Sequence, residues 1–347
     1  MRQQIVVSAP RGVDAVAATG ALSPGGSHKR CRPPALCALL LLFAVSLLGS
    51  EAIAVEVAAQ TLSTDTTWTA AASPYQVTGN VTVANGATLT IAPGTEIQFA
   101  ANATLNVQGA LDAQGTATAP IHFEPLAGES QPWGGITLAS YTTESVIRHA
   151  NISGAYTCVE LSGGAVHQIR QSTITGCASN GIRISEGSPR IENNLIVENA
   201  GSGIYAYSGV DGPIIRRNSI DHNGAYGVYL YSADADTELY DNLITRNETG
   251  LYLSVAAILR GYNNVWGNAP DYVSASAAGT DLSSDPGYVD ANLGNRQLLA
   301  DSPSKTAAED GGELGAYGAG GSPGIHPGAL YRADNGWRTH PTRTLFR

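Results

Sequence analysis

Five tyrosines stand at the every-other spacing of β-strands: Tyr205, Tyr207, Tyr229, Tyr231 and Tyr252. Side chains alternate along a strand, so Ile204 and Ala206 point inward and these tyrosines share the opposite, exposed face. Such rings can stack on the C–H faces of sugars, while their hydroxyls make hydrogen bonds. The rings could instead stack on each other across neighbouring strands, which would stabilise the sheet by about 0.5–1.5 kcal/mol per pair. Glycan contact and an aromatic ladder are compatible, and the sequence leaves both open.

Two ionisable residues occupy the equivalent positions in the preceding segments. The first outward column reads Glu160, Arg183, Tyr205, Tyr229 and Tyr252, and the second reads Ser162, Ser185, Tyr207, Tyr231 and Ser254. If the segments stack as neighbouring strands, Glu160 and Arg183 lie one strand apart. They could form a simple cross-strand ion pair, or they could take part in acid–base chemistry.

These columns belong to a repeat of 22 to 24 residues. Its leading apolar positions are Ile147, Ile169, Ile191, Ile215 and Leu239. A period of this length with short alternating apolar stretches is typical of stacked β-coils. One coil cannot bury its own apolar side chains, but stacking lines them into a continuous core. The predicted inward columns are Ile196, Ile220, Ile244 and Val265, and Ile204, Val228 and Leu251.

Asparagine recurs at two predicted corners of each coil. One column holds Asn194, Asn218, Asn242 and Asn263, and the other holds Asn199, Asn223, Asn247 and Asn268. Asparagine tolerates left-handed backbone angles at tight corners, and its amide can bond the amide stacked above it. We therefore interpret these residues as architecture.

The pattern N-x-I-x-x-N-x-x-G-I, which runs from about Val146 to Gly279, resembles the parallel β-helix repeat of the pectin-lyase-like superfamily. The resemblance implies an all-β fold: a single-stranded right-handed parallel β-helix with three short strands per coil, capped at both ends. It also implies a substrate groove along the strand that carries the tyrosines. The predicted divisions are a signal peptide (1–54), an N-terminal cap with the first coils (55–144), the repeats (145–279), a C-terminal cap (280–318) and a disordered tail (319–347). Residues 68–75 are expected to cover the open N-terminal end.

Enzymes of the superfamily suggest two reactions, and the sequence fits neither well. A polysaccharide lyase acting on a uronic-acid polymer needs a Lys or Arg base. Because Lys305 is the only lysine after residue 54, Arg183 would have to act, with Glu160 beside it. A glycoside hydrolase needs two carboxylates about 5–9.5 Å apart, but Glu160 stands alone on the tyrosine face, and the Gly-His-Gly turn of the pectin-degrading hydrolases does not occur.

The leading hypothesis is therefore a non-catalytic protein whose partner is a polysaccharide or a cell-surface glycan. The alternatives are a lyase that uses Arg183, and an adhesive or structural module without a small ligand. No cofactor is expected. The acidic run Asp234 to Asp241 could bind Ca²⁺, but it lacks the Gly and the ligand spacing of an EF-hand loop. The column Glu198, His222 and Arg246 is interpreted as a surface charge ladder.

The amino terminus has the pattern of an export signal. A basic stretch at 28–32 precedes an apolar run at 35–48, and Ala52-Ile53-Ala54 supplies a small-x-small cleavage pattern. The run is shorter than the roughly 20 residues that a bilayer span needs. We expect a secreted, periplasmic or cell-surface protein with no membrane span after cleavage.

The cysteines and the net charge fit this expectation. Cys31 and Cys37 leave with the signal, so Cys158 and Cys177 remain as an even pair in an oxidising compartment, where a disulfide is expected. The chain has a formal net charge of −10. Such a surface repels nucleic acid and anionic membranes, so neither is an expected partner.

Overall fold

A computed structural model gives the fold of residues 54–207, 210–254, 258–318, 321, 323, 330–333 and 336–339, which are the described residues. The predicted signal peptide lies outside them, except for residue 54. Within this part of the chain, no helix is long and apolar enough to cross a membrane.

Most of the described strands stack into three long parallel sheets, and each coil except the last contributes one strand to each sheet. Sheet 1 contains Val55–Val57, Tyr75–Val77, Glu96–Phe99, Ile121–Pro125, Ala150–Ser153, Thr173–Thr175, Leu195–Val197, Ser219–Asp221, Leu243–Thr245 and Asn264–Trp266. Sheet 2 contains Gln60–Leu62, Val81–Val83, Thr104–Val107, Gly135–Leu138, Val159–Leu161, Ile182–Ile184, Ile204–Ala206, Tyr226–Leu230, Thr249–Leu253 and Tyr272–Val273. Sheet 3 contains Thr66–Trp68, Thr88–Ile91, Ala110–Gln114, Val146–Arg148, Gln168–Arg170, Arg190–Glu192, Ile214–Arg216, Glu238–Tyr240 and Leu259–Gly261.

The remaining described elements are short. Three 3-10 helices span Ala70–Ala72, Ala291–Leu293 and Pro303–Thr306. Tyr288–Asp290 pairs antiparallel with Asn295–Leu298, and Leu330–Ala333 pairs antiparallel with Gly336–Thr339. That second pair falls in the segment 319–347, for which the sequence predicts disorder; most of the segment lies outside the described residues.

The strand register confirms the predicted stacking. Ile196 pairs with Ile220, which pairs with Ile244 and then Val265, and each is fully buried. Because parallel strands place equivalent residues above one another, every coil adds to the same apolar column. The predicted all-β parallel solenoid is therefore correct.

Both asparagine columns form hydrogen-bonded ladders inside the wall. The side-chain amide of Asn194 donates to Asn218 Oδ1 at 3.1 Å, and Asn218 donates in the same way to Asn242. The second column repeats this contact, for example from Asn199 to Asn223 at 2.9 Å. At the end of the first ladder, Asp281 Oδ1 accepts from the amide of Asn263. The ladders satisfy buried polar groups at each corner, as their structural interpretation requires.

The stack already begins at Val55. Trp68 and Tyr75, predicted to cover the N-terminal end, lie in strands of the first two coils. Their rings stack at 5.0 Å and are buried. They therefore contribute to the core of the first coils rather than to a separate cap.

The predicted C-terminal cap divides into two parts. Leu282 pairs with Asn264 and so extends the stack. Residues 285–318, named the strap, pack along the outer face of sheet 1. Leu298 and Leu314 of the strap bury Leu243, and Ala316 packs on Leu195. The strap lies there because these strands carry apolar residues on both faces.

Candidate functional site

The tyrosines of sheet 2 form two stacked rows on the exposed face, as the alternation indicates. In the first row, the rings of Tyr205 and Tyr229 lie 4.8 Å apart and those of Tyr229 and Tyr252 lie 4.5 Å apart, all nearly parallel. In the second row, Tyr207 and Tyr231 stack at 4.8 Å. Parallel pairing in exact register explains these stacks, because it sets Tyr205 beside Tyr229 and Tyr229 beside Tyr252.

A sixth tyrosine, Tyr226, joins the first row. Its ring is tilted against Tyr229 at 4.9 Å and meets Tyr252 edge-on at 5.9 Å. Simple alternation from Tyr229 places residue 226 on the opposite face, so the sequence pattern does not predict its position here. The available signal was Gly227, since a glycine inside a strand often marks an irregularity that redirects a neighbouring side chain.

Stacking occupies the ring faces within the rows, so an incoming ligand would meet mainly edges and hydroxyls there. On the N-terminal side, the rows end at the coil that carries Arg183 and Ser185 instead of tyrosines. At this step lies an open cavity of about 270 Å³, named the ladder foot, which is lined by Arg183, Ile184, Ser185, Tyr205 and Tyr207. Tyr207 is 52% exposed there. The ladder foot combines an aromatic surface with polar groups.

Arg183 and Glu160 form a cross-coil ion pair. Their closest atoms, Nη1 and Oε1, lie 3.4 Å apart, and the side chains are 48% and 30% exposed. Ser185 Oγ donates a hydrogen bond to the same Oε1 at 3.1 Å. The geometry thus places the two ionisable residues together, with the charge of the guanidinium balanced by its neighbour.

The hydroxyl of Tyr229, inside the first row, remains protonated at neutral pH. Burial among the neighbouring rings, together with the nearby tyrosines, raises the pKa of Tyr229 above its usual value. A tyrosine hydroxyl can donate as well as accept a hydrogen bond. The row presents a repeating edge of such groups, one per coil, which can interact with hydroxyl-rich ligands.

A second charged cluster lies between sheet 1 and the strap. Asp221 is fully buried and accepts from Arg246 at 2.6 Å and from Arg296 at 3.0 Å. Arg296 also donates to Glu198 at 2.7 Å. A cavity of about 540 Å³ opens beside Glu198, His222 and Arg246. The predicted surface charge ladder therefore also joins sheet 1 to the strap, through Arg296. Because Arg296 is far from Asp221 in sequence, the repeat pattern does not predict this contact.

The remaining predicted residues are placed as follows. Cys158 and Cys177 are joined in a disulfide, with Cα atoms 5.7 Å apart. In the acidic run, Asp234 and Asp236 are exposed, while Asp241 is buried and accepts from the backbone N–H of Glu309 at 2.8 Å. Across the described residues, no group of three or more His, Cys, Asp or Glu is arranged to hold a metal ion.

Comparison with known families agrees with this architecture. A model described as a right-handed β-helix region matches residues 134–286. A second, described as a pectate-lyase-like β-helix domain, matches residues 60–155. A search of curated proteins found no match.

Proposed function

The chain is a right-handed parallel β-helix protein with a pectate-lyase-like β-helix domain, and we propose that it is an exported, non-catalytic, glycan-binding protein. The ladder foot is the proposed contact site. Fold alone does not assign function, because the same scaffold carries different sites. The proposal therefore depends on the side chains of sheet 2.

The observation that carries the proposal is the half-exposed ring of Tyr207 at the end of a stacked row. A sugar unit could take the place of the missing next ring, with its C–H face on the aromatic surface. Arg183, Ser185 and the tyrosine hydroxyls would then meet its hydroxyl groups. The row holds Tyr207 in position through Tyr231, so little conformational freedom is lost on binding.

The charges on this face support a binding role over a catalytic one. A hydrolase would need a pair of carboxylates about 5–9.5 Å apart, and Glu160 is the single carboxylate in the two outward columns of sheet 2, within the part of the chain described. A lyase would need Arg183 as an available base. Its guanidinium is instead paired with Glu160 at 3.4 Å, so it is not free to meet a substrate proton.

Export is part of the same proposal. It rests on the predicted signal peptide and agrees with the Cys158–Cys177 disulfide, since such bonds persist mainly in oxidising compartments. A protein outside the cytoplasm encounters polysaccharides and cell-surface glycans.

A glycan array tests the proposal with the purified full chain, the variant Tyr207→Ala and the control Tyr262→Asn. Residue 262 is a partly buried tyrosine at a different corner, where its left-handed backbone (φ 55°) suits asparagine. We expect glycan binding by the wild type and the control, and at least ten-fold weaker binding by Tyr207→Ala. Thermal unfolding of each variant checks that it is folded.

The competing lyase activity is tested on uronic-acid polymers, with the absorbance of unsaturated products as the measurement. Product formation that is lost in Arg183→Ala would overturn the non-catalytic proposal. Glycan binding that is unchanged in a folded Tyr207→Ala variant would remove the ladder foot as the contact site. A blank array would argue instead for a structural or adhesive module.

A further inference from the structure

We infer that the ladder foot selects neutral, hydroxyl-rich glycans and disfavours polyuronates. This inference rests on the proposed glycan-binding function and specifies the class of sugar. Three features carry it: the compensated cation in the site, the acidic side chains along its edge, and the hydrogen-bonding capacity of the groups that face the ligand.

The first feature is that the site has no spare positive charge. Arg183 is the single cation in the outward columns of sheet 2, over the residues described. Its partner Glu160 lies 3.4 Å away, and Ser185 donates to that same carboxylate. A uronate carboxylate would have to compete with Glu160 for the guanidinium. A neutral sugar can share the pair, since its hydroxyls accept from Arg183 and donate to Glu160.

The second feature is a row of acids along the edge of sheet 2. Gly187, Val210 and Ala233 pair in parallel across three consecutive coils. Glu186 directly precedes the first of them, and Asp211 and Asp234 directly follow the other two. All three acidic residues are exposed. They therefore lie along the same edge, beside the coils that carry Arg183, Tyr207 and Tyr231.

A polyuronate carries a negative charge on every unit, so its approach to this edge is repelled. The Debye length is about 30 Å at 0.01 M salt and about 3 Å at 1 M. The repulsion should therefore be large at low salt and nearly abolished at high salt. A neutral glycan experiences no such repulsion, and its affinity should change little with salt.

The third feature is the match of donors and acceptors. The exposed carboxylates accept hydrogen bonds, which a sugar hydroxyl can donate and an ionised uronate carboxylate cannot. One oxygen of Glu186 already accepts from Tyr141 Oη at 2.6 Å, so its other oxygen is the acceptor left for a sugar hydroxyl. Replacing a CH₂OH group by a carboxylate thus removes a donor in an environment rich in acceptors.

The test titrates matched hexasaccharides by isothermal titration calorimetry. The strongest array hit is measured beside its partner that differs only at carbon 6, such as galactose against galacturonate. At 10 mM salt we expect the neutral member to bind at least ten-fold more tightly. At 1 M salt the difference should fall to about three-fold or less.

The double variant Glu186→Gln, Asp211→Asn provides the second measurement. We expect it to narrow the ratio of neutral to uronate affinity at low salt, chiefly by strengthening uronate binding. Tighter binding of the uronate member at low salt by the wild type would overturn the inference and leave the proposed function standing. So would a neutral preference that neither salt nor the double variant alters. Binding of no glycan of either class would overturn the proposed function itself.

Discussion

The tyrosine rows predict that stability and binding depend on different residues of the same face. Tyr229 lies inside its row, and the centroids of three neighbouring rings lie within 5 Å of its own, at 4.8, 4.5 and 4.9 Å. Aromatic pairs contribute about 0.5–1.5 kcal/mol each. We therefore expect Tyr229→Ala, which removes three such pairs, to lower the free energy of unfolding by about 1.5–4.5 kcal/mol.

Tyr207 lies at the end of its row and stacks on one ring, at 4.8 Å. The same arithmetic gives a cost of about 0.5–1.5 kcal/mol for Tyr207→Ala. Its half-exposed ring borders the ladder foot, so glycan binding should suffer more in this variant than in a folded Tyr229→Ala. The two substitutions should thus have opposite rank orders for stability and for binding.

Urea unfolding followed by circular dichroism measures the first quantity, and calorimetric titration with the array hit measures the second. Tyr229→Phe is the matched control, because it keeps the ring and should change stability by no more than about 0.5 kcal/mol. Equal destabilisation by Tyr229→Ala and Tyr207→Ala would refute the reasoning. It would mean that the number of neighbouring rings does not set how much each tyrosine stabilises the protein.

Three further predictions concern the scaffold. Asn218→Ala removes a fully buried side chain from its ladder and should lower the free energy of unfolding in urea by about 3–5 kcal/mol. Asn106 is partly exposed, so Asn106→Ala should lower it by less than about 0.5 kcal/mol. Similar losses in the two variants would contradict the ladder's role. Burial lowers the pKa of His167. The contribution of the neutral imidazole to stability is therefore present above pH 6.5 and is lost as the pH falls through the folded-state pKa. A His167→Asn variant whose stability has the same pH dependence as the wild type would disprove this. Asp221→Ala leaves Arg296 buried without that partner and should lower the free energy of unfolding by about 3–5 kcal/mol. Limited proteolysis is the second measurement, and it should cut the strap faster in this variant. A strap that stays protected would show that its apolar contacts are enough to hold it on sheet 1.

The coils could be predicted because every element repeats. The spacing of Ile147, Ile169 and Ile191 fixes the period, and the period fixes which residues lie above one another in the sheets. From that register the tyrosine columns and the Glu160–Arg183 pair follow directly. In such a fold the contacts between coils are nearly constant in sequence separation, so alignment of the rows substitutes for knowledge of the tertiary structure.

The strap could not be predicted in this way, because its contacts do not repeat. Arg296 contacts Asp221, 75 residues away in sequence, and no periodic pattern predicts that pair. A weaker signal was present in Leu195-Ile196-Val197, where three consecutive apolar residues replace the alternation of a strand with one exposed face. Such a strand must be buried on both faces, so something had to cover sheet 1.

The same logic explains why the ladder foot, and not the whole tyrosine face, is the proposed site. Parallel register pairs identical side chains: an asparagine hydrogen-bonds to the next asparagine, and a tyrosine ring stacks on the next tyrosine ring. Ring faces and hydrogen-bonding groups therefore remain free to bind a ligand where the repetition ends. On sheet 2 the column changes from Tyr205 to Arg183, and the neighbouring column changes from Tyr207 to Ser185. Extending the row by Ser185→Tyr should move the free ring face one coil further and fill the present cavity. If glycan binding instead persisted unchanged in that variant, the break in the row would not be what creates the site.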